Sequence, residues 1–481
     1  VRTMSSGLDE FHKGLRGERS GASSTSTVDV FRAMSRSWST DRERYRSWAQ
    51  VLTARGRQTA VGRRRQLTTG THGAVIDGGV VLVWALGATV RGRARVRLRF
   101  VAVVLLVATG VAVPLTASAS APASHGGGPP FLTVPSPHLT GALNSVSCTS
   151  TTNCFAVGVS VSGTLVERWN GTSWAVVPSP NPTGETYIAL NSVSCTSTTH
   201  CIAVGSSASG TLVERWNGTS WAIVPSPNPT GTGGSELFGV SCTSSTNCFA
   251  VGDYGNISGA IDTLVEHWNG TSWAIVPSPS PIPPIVPWKS ILYGVSCTST
   301  TSCFAVGSVG HEPGPYDPLV ERWDGTSWAV VPSPSPRTII GAPNSALYGV
   351  SCTSTASCFA VGYSHDFIQD TGAVGAFIER WNGTSWAIVP TPYPTGLPEN
   401  TLTGVSCTST TACFAVGSFA KKIGGHSVTL VERWNGTSWA IVPSANPARG
   451  DNALNGVSCT GNRSCFAVGY SSEGTLIERR R

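Results

Sequence analysis

Short apolar runs alternate with polar turns along residues 131–481, and one pattern of such runs returns throughout this stretch. Between residues 143 and 180 four runs are rich in Val, aromatic residues and Thr: LNSVSC, CFAVGVSV, TLVERW and SWAVVPSP. Gly, Asn, Ser or Pro bounds each run, and no helical period appears. The pattern predicts a unit of four short β-strands.

The third and fourth runs meet at a polar turn between Trp169 and Trp174. Asn170-Gly171 within this turn supplies the positive φ values that a tight hairpin needs. Each unit is therefore predicted to be a four-stranded antiparallel meander.

The unit is repeated seven times, and each copy begins with VSC, five further residues and a second cysteine. First cysteines of successive units are 47 to 55 residues apart, which is typical of propeller repeats. A single sheet cannot bury both of its faces, so the units are expected to stack radially. The predicted fold is all-β: a seven-bladed β-propeller of four-stranded antiparallel blades.

The last unit ends as TLIERRR and lacks a fourth run. A matching run precedes the first unit, at residues 131–137, where Phe131 aligns with Trp174. We expect strand 131–137 to complete the last blade and to close the ring.

Three features of the unit carry a resemblance: an aliphatic strand with an aromatic end, a polar turn before a tryptophan, and a Val-Pro-x-Pro exit. Residues 131–481 thereby resemble the kelch-like and galactose-oxidase central-domain-like propeller repeats of secreted bacterial proteins. The chain departs from kelch repeats in having a single glycine at Gly158 and two cysteines per unit. The resemblance implies the fold and no catalytic residue.

All 14 cysteines flank polar loops, at the facing ends of predicted first and second strands. A C-x5-C spacing fits no usual zinc site, and no histidine recurs with it. We therefore predict seven disulfides, each stabilising by about 2 kcal/mol, and no metal or other cofactor. The pairs are Cys148/Cys154, Cys195/Cys201, Cys242/Cys248, Cys297/Cys303, Cys352/Cys358, Cys407/Cys413 and Cys459/Cys465.

Charge is unevenly distributed along the chain. Residues 1–124 hold 19 Lys and Arg against 7 Asp and Glu, whereas residues 125–481 hold 14 against 19. Residues 1–89 are basic and lack aromatic interleaving, so we predict a segment that is disordered or not translated, with no nucleic-acid partner.

Residues 90–124 have the anatomy of a secretory signal peptide. Alternate arginines from Arg91 to Arg99 precede an apolar stretch from Val101 to Leu115, and small residues place the cleavage near 119–123. Residues 125–481 would then be a secreted propeller without a stable membrane span. The alternative is an anchored protein with a long cytoplasmic tail.

Two repeated features are predicted to be structural. Glu-Arg pairs recur on the third strand, where at least one residue of each pair is expected to face solvent, and tryptophan pairs recur beside them. A binding site rarely needs six identical copies, so packing between blades is favoured over sugar binding for the tryptophans.

Recognition is expected from residues that do not repeat. In a meander of this kind the loops between strands two and three and the links between blades share one face, here called the variable-loop face, and these segments differ in length and chemistry. Variable loops on a rigid scaffold commonly bind ligands, although neutral insertions are an open alternative. The candidate binding residues are Tyr187, Tyr254, Trp288, His311, Tyr316, Asp317, His365, Asp366 and His426.

These features favour a secreted, monomeric, non-enzymatic module that binds an extracellular glycan or protein. A propeller glycan hydrolase or lyase is the alternative, with His311/Asp317 and His365/Asp366 as the candidate groups. No nucleophile elbow, phosphate loop or metal motif is present in the sequence. A carboxylate cluster at one mouth of the propeller would favour the enzyme.

Overall fold

The computed structural model describes residues 73–76, 80–83, 130–137, 140–229, 234–281, 288–311, 316–336, 344–365, 374–392, 399–420, 422 and 424–481. The chain divides into two compact regions, Val1–Thr116 and Ala117–Arg481. In the first, Gly73–Ile76 and Val80–Val83 form an antiparallel pair. The predicted signal peptide at 90–124 and most of the basic segment 1–89 lie outside the described residues.

Residues 130–481 contain the repeated units, numbered 1 to 7 along the chain. The first strands are Ala142–Ser150, Ala189–Ser197, Ser235–Ser244, Trp288–Ser299, Asn344–Ser354, Glu399–Ser409 and Asn452–Gly461. The second strands are Asn153–Ser160, His200–Ser207, Asn247–Gly255, Ser302–His311, Ser357–His365, Ala412–Ala420 and Ser464–Ser471. The third strands are Gly163–Trp169, Gly210–Trp216, Ile261–Trp268, Tyr316–Trp323, Val374–Trp381, Ser427–Trp434 and Gly474–Arg480. The fourth strands of units 1 to 6 are Trp174–Val176, Trp221–Ile223, Trp273–Ile275, Trp328–Val330, Trp386–Val389 and Trp439–Ile441.

Each unit is an antiparallel meander in which strands one to four follow in order across the sheet. Units 3 and 4 are joined by a single parallel pair, Ile261 with Lys289, and units 5 and 6 by Val374 with Glu399. The prediction of an all-β propeller made of four-stranded antiparallel sheets is therefore confirmed.

All seven predicted disulfides are present, each between cross-strand partners of the first and second strands. Both cysteines of each pair flank the polar loop as predicted, and the two members of a pair differ in exposure. The first cysteine is half-buried, whereas the second is fully buried in the hydrophobic core, with at most 1% of its surface exposed. These buried second cysteines are Cys154, Cys201, Cys248, Cys303, Cys358, Cys413 and Cys465.

The burial of the second cysteine has a physical cause in how the units stack. Its side chain points from the second strand toward the preceding unit: Cys201 packs in one cluster with Phe155 and Val157 of unit 1. Cys154 packs in the same way with Phe466 of unit 7. The second cysteines are therefore core residues as well as disulfide partners, and they offer no surface to a ligand.

The sheet of unit 7 takes its fourth strand from the residues ahead of unit 1. Leu132–Thr133 pairs with the third strand Gly474–Arg480. Phe131 is fully buried and packs edge-on against Phe414 at 5.6 Å, as the equivalent Trp221 packs against Phe155 at 5.4 Å. The aromatic residue at the aligned position thus fills the same space between units.

Neighbouring units are joined at the first strands by a repeated hydrogen bond. The serine before each first cysteine places its hydroxyl on the next unit, where it accepts a bond from the backbone N–H of that unit's first cysteine. The distances are 3.0–3.1 Å in all seven cases, including Cys148 N–H to Ser458 Oγ between units 1 and 7. The Ser-Cys dipeptide therefore links units as well as strands.

The glycine in the second strand permits close packing within each unit. A Cβ on Gly158 would lie 2.0 Å from the carbonyl oxygen of Ala142 on the first strand. The corresponding glycine of every other unit meets the first strand in the same way. This contact explains why the Ala-Val-Gly motif recurs.

Aromatic side chains fill the space between units, as predicted for the tryptophan pairs. Phe155 of unit 1 contacts Trp216 and Trp221 of unit 2, with ring centroids 5.1 and 5.4 Å away. The Arg168 guanidinium lies over the rings of Phe155 and Trp216, so the arginine of the Glu-Arg pair faces the following unit. Corresponding contacts with rings of the following unit are made by Arg215, Arg322, Arg380 and Arg479.

The glutamate of the same pair faces the preceding unit and is completely buried. Glu214, for example, accepts hydrogen bonds of 2.7 and 3.0 Å from the Ser179 hydroxyl in the exit of unit 1. Burial raises the pKa values of all these glutamates to about 7 or 8, and hydrogen bonds oppose the rise. These connecting glutamates are Glu167, Glu214, Glu266, Glu321, Glu379, Glu432 and Glu478.

Candidate functional site

The two ends of the units differ in how much they vary. At one end the turn between strands three and four packs on the loop between strands one and two: Trp169 Nε1 donates to Thr151 O at 3.1 Å. The Asn170 side-chain oxygen accepts bonds from the N–H groups of Thr172 and Ser173. Nearly the same bonds recur in the other units that carry this turn. This end is uniform.

At the opposite end, the variable-loop face, four predicted site residues lie near the ends of neighbouring strands of unit 4. Trp288 and His311 are cross-strand partners whose rings meet edge-to-face at 5.4 Å. Tyr316 pairs with Gly310, next to His311, and Asp317 is the following residue. Trp288, His311 and Tyr316 are half-buried, whereas Asp317 is exposed. The geometry therefore offers aromatic surface beside a titratable imidazole.

The remaining predicted residues are distributed over other units. Tyr187 of unit 2 is 78% exposed and has a φ of 54°, which is unusual for a residue other than glycine. His426 of unit 6 lies 3.5 Å from Asp451, with both side chains exposed. His365 pairs through its backbone with Asn344, whereas Asp366 lies outside the described residues. Tyr187 and His426 thus belong to other units than the Trp288–His311 pair.

Tyr254 has a structural environment. It packs against the core between units 2 and 3, and its cross-strand partner is Asp262. Burial raises the pKa of the Tyr254 hydroxyl, and the charge and hydrogen bond of Asp262 raise it further. Tyr254 thus contributes to the base of the loop in unit 3.

Sequence reasoning missed a set of residues on the first strands, which we call the inner ring. Each occupies the β-bulge after the repeated leucine of its unit. In four units the inner-ring side chain donates to the leucine carbonyl of the next unit at 2.8–3.0 Å. The inner ring comprises Asn144, Asn191, Phe238, Tyr293, Tyr348, Thr403 and Asn455.

A carboxyl pair lies between the inner ring and the variable-loop face. Glu236 and Asp253 are direct cross-strand partners in unit 3, so their Cβ atoms are about 5 Å apart. Glu236 Oε1 accepts hydrogen bonds from Asn191 Nδ2 at 3.0 Å and Ser206 Oγ at 3.1 Å, both in unit 2. The pair therefore lies at a junction between units.

The charge of Glu236 acts on Asp253. Burial raises the pKa of Asp253 to about 7, the charge of Glu236 contributes to the rise, and Lys289 of unit 4 opposes it. Asp253 thus titrates near neutral pH, which is the range useful for proton transfer or for pH-dependent binding. The signal available in the sequence was Glu236, which occupies the position held by Ala142 in unit 1 and Ala189 in unit 2.

Across the described residues, no group of three or more His, Cys, Asp or Glu side chains is arranged to hold a metal ion. The same part of the chain contains no helix with the length and apolarity to cross a membrane.

No profile of a known protein family matches the chain, and no curated protein matches it. The kelch-type resemblance therefore stays a prediction.

Comparison with solved structures finds β-propeller proteins. YCF48 from Cyanidioschyzon merolae is 13% identical, with 73% of this chain and 98% of that chain covered and a TM-score of 0.46. A streptogramin B lyase is 10% identical, with 73% and 96% covered and a TM-score of 0.46. A polysaccharide lyase, ulvan lyase, is 10% identical, with 73% and 92% covered and a TM-score of 0.46. The assignment of the fold rests on the strand order and the contacts between units.

Proposed function

We propose that this protein is a secreted binding module that recognises an extracellular glycan or protein through its variable-loop face. The observation that carries the proposal is the contrast between the two ends of the units. The turn end repeats one set of bonds, whereas the variable-loop end of unit 4 carries the ring pair of Trp288 and His311, with Tyr316 on the adjacent strand. Aromatic side chains with an adjacent polar group are common in ligand sites.

In this proposal the seven sheets are the seven blades of one closed, monomeric propeller. Two contacts support closure: the pairing of Leu132–Thr133 with unit 7 and the bond between units 1 and 7 at Ser458. Secretion is supported by the seven disulfides and by the signal-peptide pattern of residues 90–124. Mass spectrometry of the native N-terminus tests it, since a mature chain beginning near residues 120–125 is expected.

A glycan array probed with the purified, oxidised full chain tests the binding function. We expect at least one glycan to bind, and Trp288→Ala to weaken that binding at least about tenfold, because truncating a hot-spot aromatic residue costs about 2 kcal/mol or more. Asp324→Asn is the matched control, since it alters the uniform end and introduces the residue found in the other turns. Unchanged binding in Trp288→Ala would place recognition elsewhere, and silence on every glycan would direct the search to protein partners.

One observation favours the enzymatic alternative, a glycan hydrolase or lyase. Glu236 and Asp253 form a carboxyl pair in which Asp253 titrates near pH 7, as a general acid or base requires. Product analysis by mass spectrometry on each bound glycan distinguishes the two functions. Turnover that disappears in Asp253→Asn, with binding retained, would establish the enzyme.

A further inference from the structure

Three consecutive units break the rule that the inner ring follows elsewhere. Four inner-ring side chains are Asn or Thr and bond to the next unit, whereas units 3, 4 and 5 carry Phe238, Tyr293 and Tyr348. The centroids of Phe238 and Tyr293 are 5.4 Å apart, and those of Tyr293 and Tyr348 are 5.1 Å apart. One side of the inner ring is therefore aromatic.

A fourth ring extends this aromatic arc, which we define as Phe238, Tyr293, Tyr348 and Tyr363. Tyr363 lies on the second strand of unit 5 and stacks on Tyr348 at 5.6 Å with an interplanar angle of 20°. All four side chains are half-buried, so each retains accessible surface. The arc therefore presents the accessible parts of four adjoining rings along one side of the inner ring.

Charged groups lie directly beside the arc. Glu236 and Asp253 sit on the strands of unit 3 that also carry Phe238, two residues from Glu236. Burial raises the pKa of the Tyr293 hydroxyl, and a hydrogen bond with Ser308 opposes the rise. The charges of both acids also act on this hydroxyl and raise its pKa further. Lys289 is the cation that acts on Asp253, and its effect is smaller than those of burial and Glu236. The junction therefore holds two carboxyl groups and one cation, Lys289.

We propose that the aromatic arc and the carboxyl pair bind the protonated amine of an amino sugar within a glycan. This inference rests on the proposed binding function and assigns its ligand class. Aromatic faces attract cations, and carboxylates make strong hydrogen bonds to ammonium groups. A pyranose ring also has a flat apolar face that can pack on the accessible aromatic surface of the arc. The narrow side chain of a lysine would cover less of that surface.

Calorimetric titration of the full chain with two tetrasaccharides tests the ligand class. The probes are a β-1,4-linked glucosamine tetramer and its fully N-acetylated counterpart, both at pH 6. We expect the amine tetramer to bind at least about tenfold more tightly, because charge-assisted hydrogen bonds contribute roughly 1.5–3 kcal/mol. Equal affinity for the two tetramers would overturn the inference.

Two variants locate the amine. Glu236→Gln keeps the shape and hydrogen-bonding capacity of the side chain while removing its charge, and is expected to abolish the preference for the amine tetramer. Tyr293→Leu is expected to weaken both tetramers, because stacking is lost for either sugar. Asp324→Asn, a loss of one acidic charge at the uniform end, is expected to change neither, and thermal midpoints of all variants confirm folding.

The outcomes separate this inference from the proposed function. Tight binding of both tetramers that depends on Trp288 and not on Glu236 would retain the binding module and remove the amine site. Binding of an amine-rich peptide, without binding of either tetrasaccharide, would assign the arc to a protein ligand. That result would overturn the inference of a glycan ligand. Absence of binding to every probe and every array glycan would remove glycan recognition altogether.

Discussion

The third strands of the seven units are almost identical, whereas the first strands change at two positions that matter. On the third strand the glutamate faces the preceding unit and the arginine faces the following one. On the first strand the inner-ring position is Asn or Thr in four units and aromatic in three, and the position of Glu236 is apolar or Thr in the other six. Repeated residues therefore assemble the units, and the proposed recognition site lies where the strands depart from the repeat.

The largest effect is expected for a phenylalanine packed between units, compared with one in the inner ring. Phe304 is 1% exposed and contacts Trp381 and Trp386 of the next unit, so Phe304→Ala should destabilise by roughly 3–5 kcal/mol. Phe238→Ala in the inner ring should cost less, because Phe238 is half-buried. Denaturant unfolding of both variants measures the difference. A larger loss of unfolding free energy for Phe238→Ala would mean that the inner ring contributes more to stability than the packing between units.

The connecting glutamates predict a pH dependence of the free energy of unfolding. Their folded pKa values are about 7 or 8, above the value of about 4.3 for an unfolded glutamate. The folded chain therefore holds more protons than the unfolded chain between these limits. Their contribution to stability is complete below about pH 4.3 and is lost as the pH rises through about 7 to 8. The thermal unfolding midpoint should accordingly decrease as the pH is raised from 5 to 9.

Glu321→Gln sharpens this prediction. The neutral amide resembles the protonated acid, which accepts a 2.6 Å bond from Ser278 in the wild-type chain. The variant should be close to wild type at pH 5 and more stable than wild type at pH 9, because one buried ionisation is removed. Equal stability differences at both pH values would show that Glu321 does not titrate in this range.

The smallest effect is expected at the uniform end. Asp324 accepts bonds from Thr326 and Ser327, and these bonds lower the pKa of its carboxyl to about 2. Asn269 makes the same pair of bonds in unit 3. We expect Asp324→Asn to leave the unfolding midpoint unchanged in differential scanning calorimetry. A clear shift would mean that this end also differs functionally between units.

Periodicity made most of the fold predictable from the sequence. Fourteen cysteines in seven pairs and one strand pattern recur at fixed positions, and the turn motif recurs six times, so each local inference is tested six or seven times. The aromatic Phe131 marked the fourth strand of unit 7 in the same way.

Burial at the junctions between units was harder to predict. A Glu-Arg pair on a strand resembles a solvated face, whereas the glutamate is fully buried at a junction. The second cysteine of each disulfide follows a polar loop in the sequence and nevertheless lies in the core. Both residues are covered by a neighbouring unit, and the pattern within one unit does not specify which side chains that neighbour covers.

The candidate site was predicted in part. Trp288, His311 and Tyr316 were identified because they lie in segments without repeats. The structure pairs Trp288 with His311 and places Tyr316 on the next strand of unit 4. Glu236 was missed because it lies inside a repeated strand, where a single substitution is masked by the surrounding pattern. Long-range proximity between units 2, 3 and 4 depends on how the sheets stack, which strand patterns alone do not specify.

Mechanical force would not reach the seven units equally. Leu132–Thr133 joins the sheet of unit 7 through two paired residues, flanked by backbone bonds from Phe131 to Pro443 and from Val134 to Ile477. A pull transmitted through the chain ahead of Phe131 would load this short strand before any other. Attachment at that end would therefore make unit 7 the first part of the molecule to yield, while the disulfide-bonded hairpin of each unit stays intact.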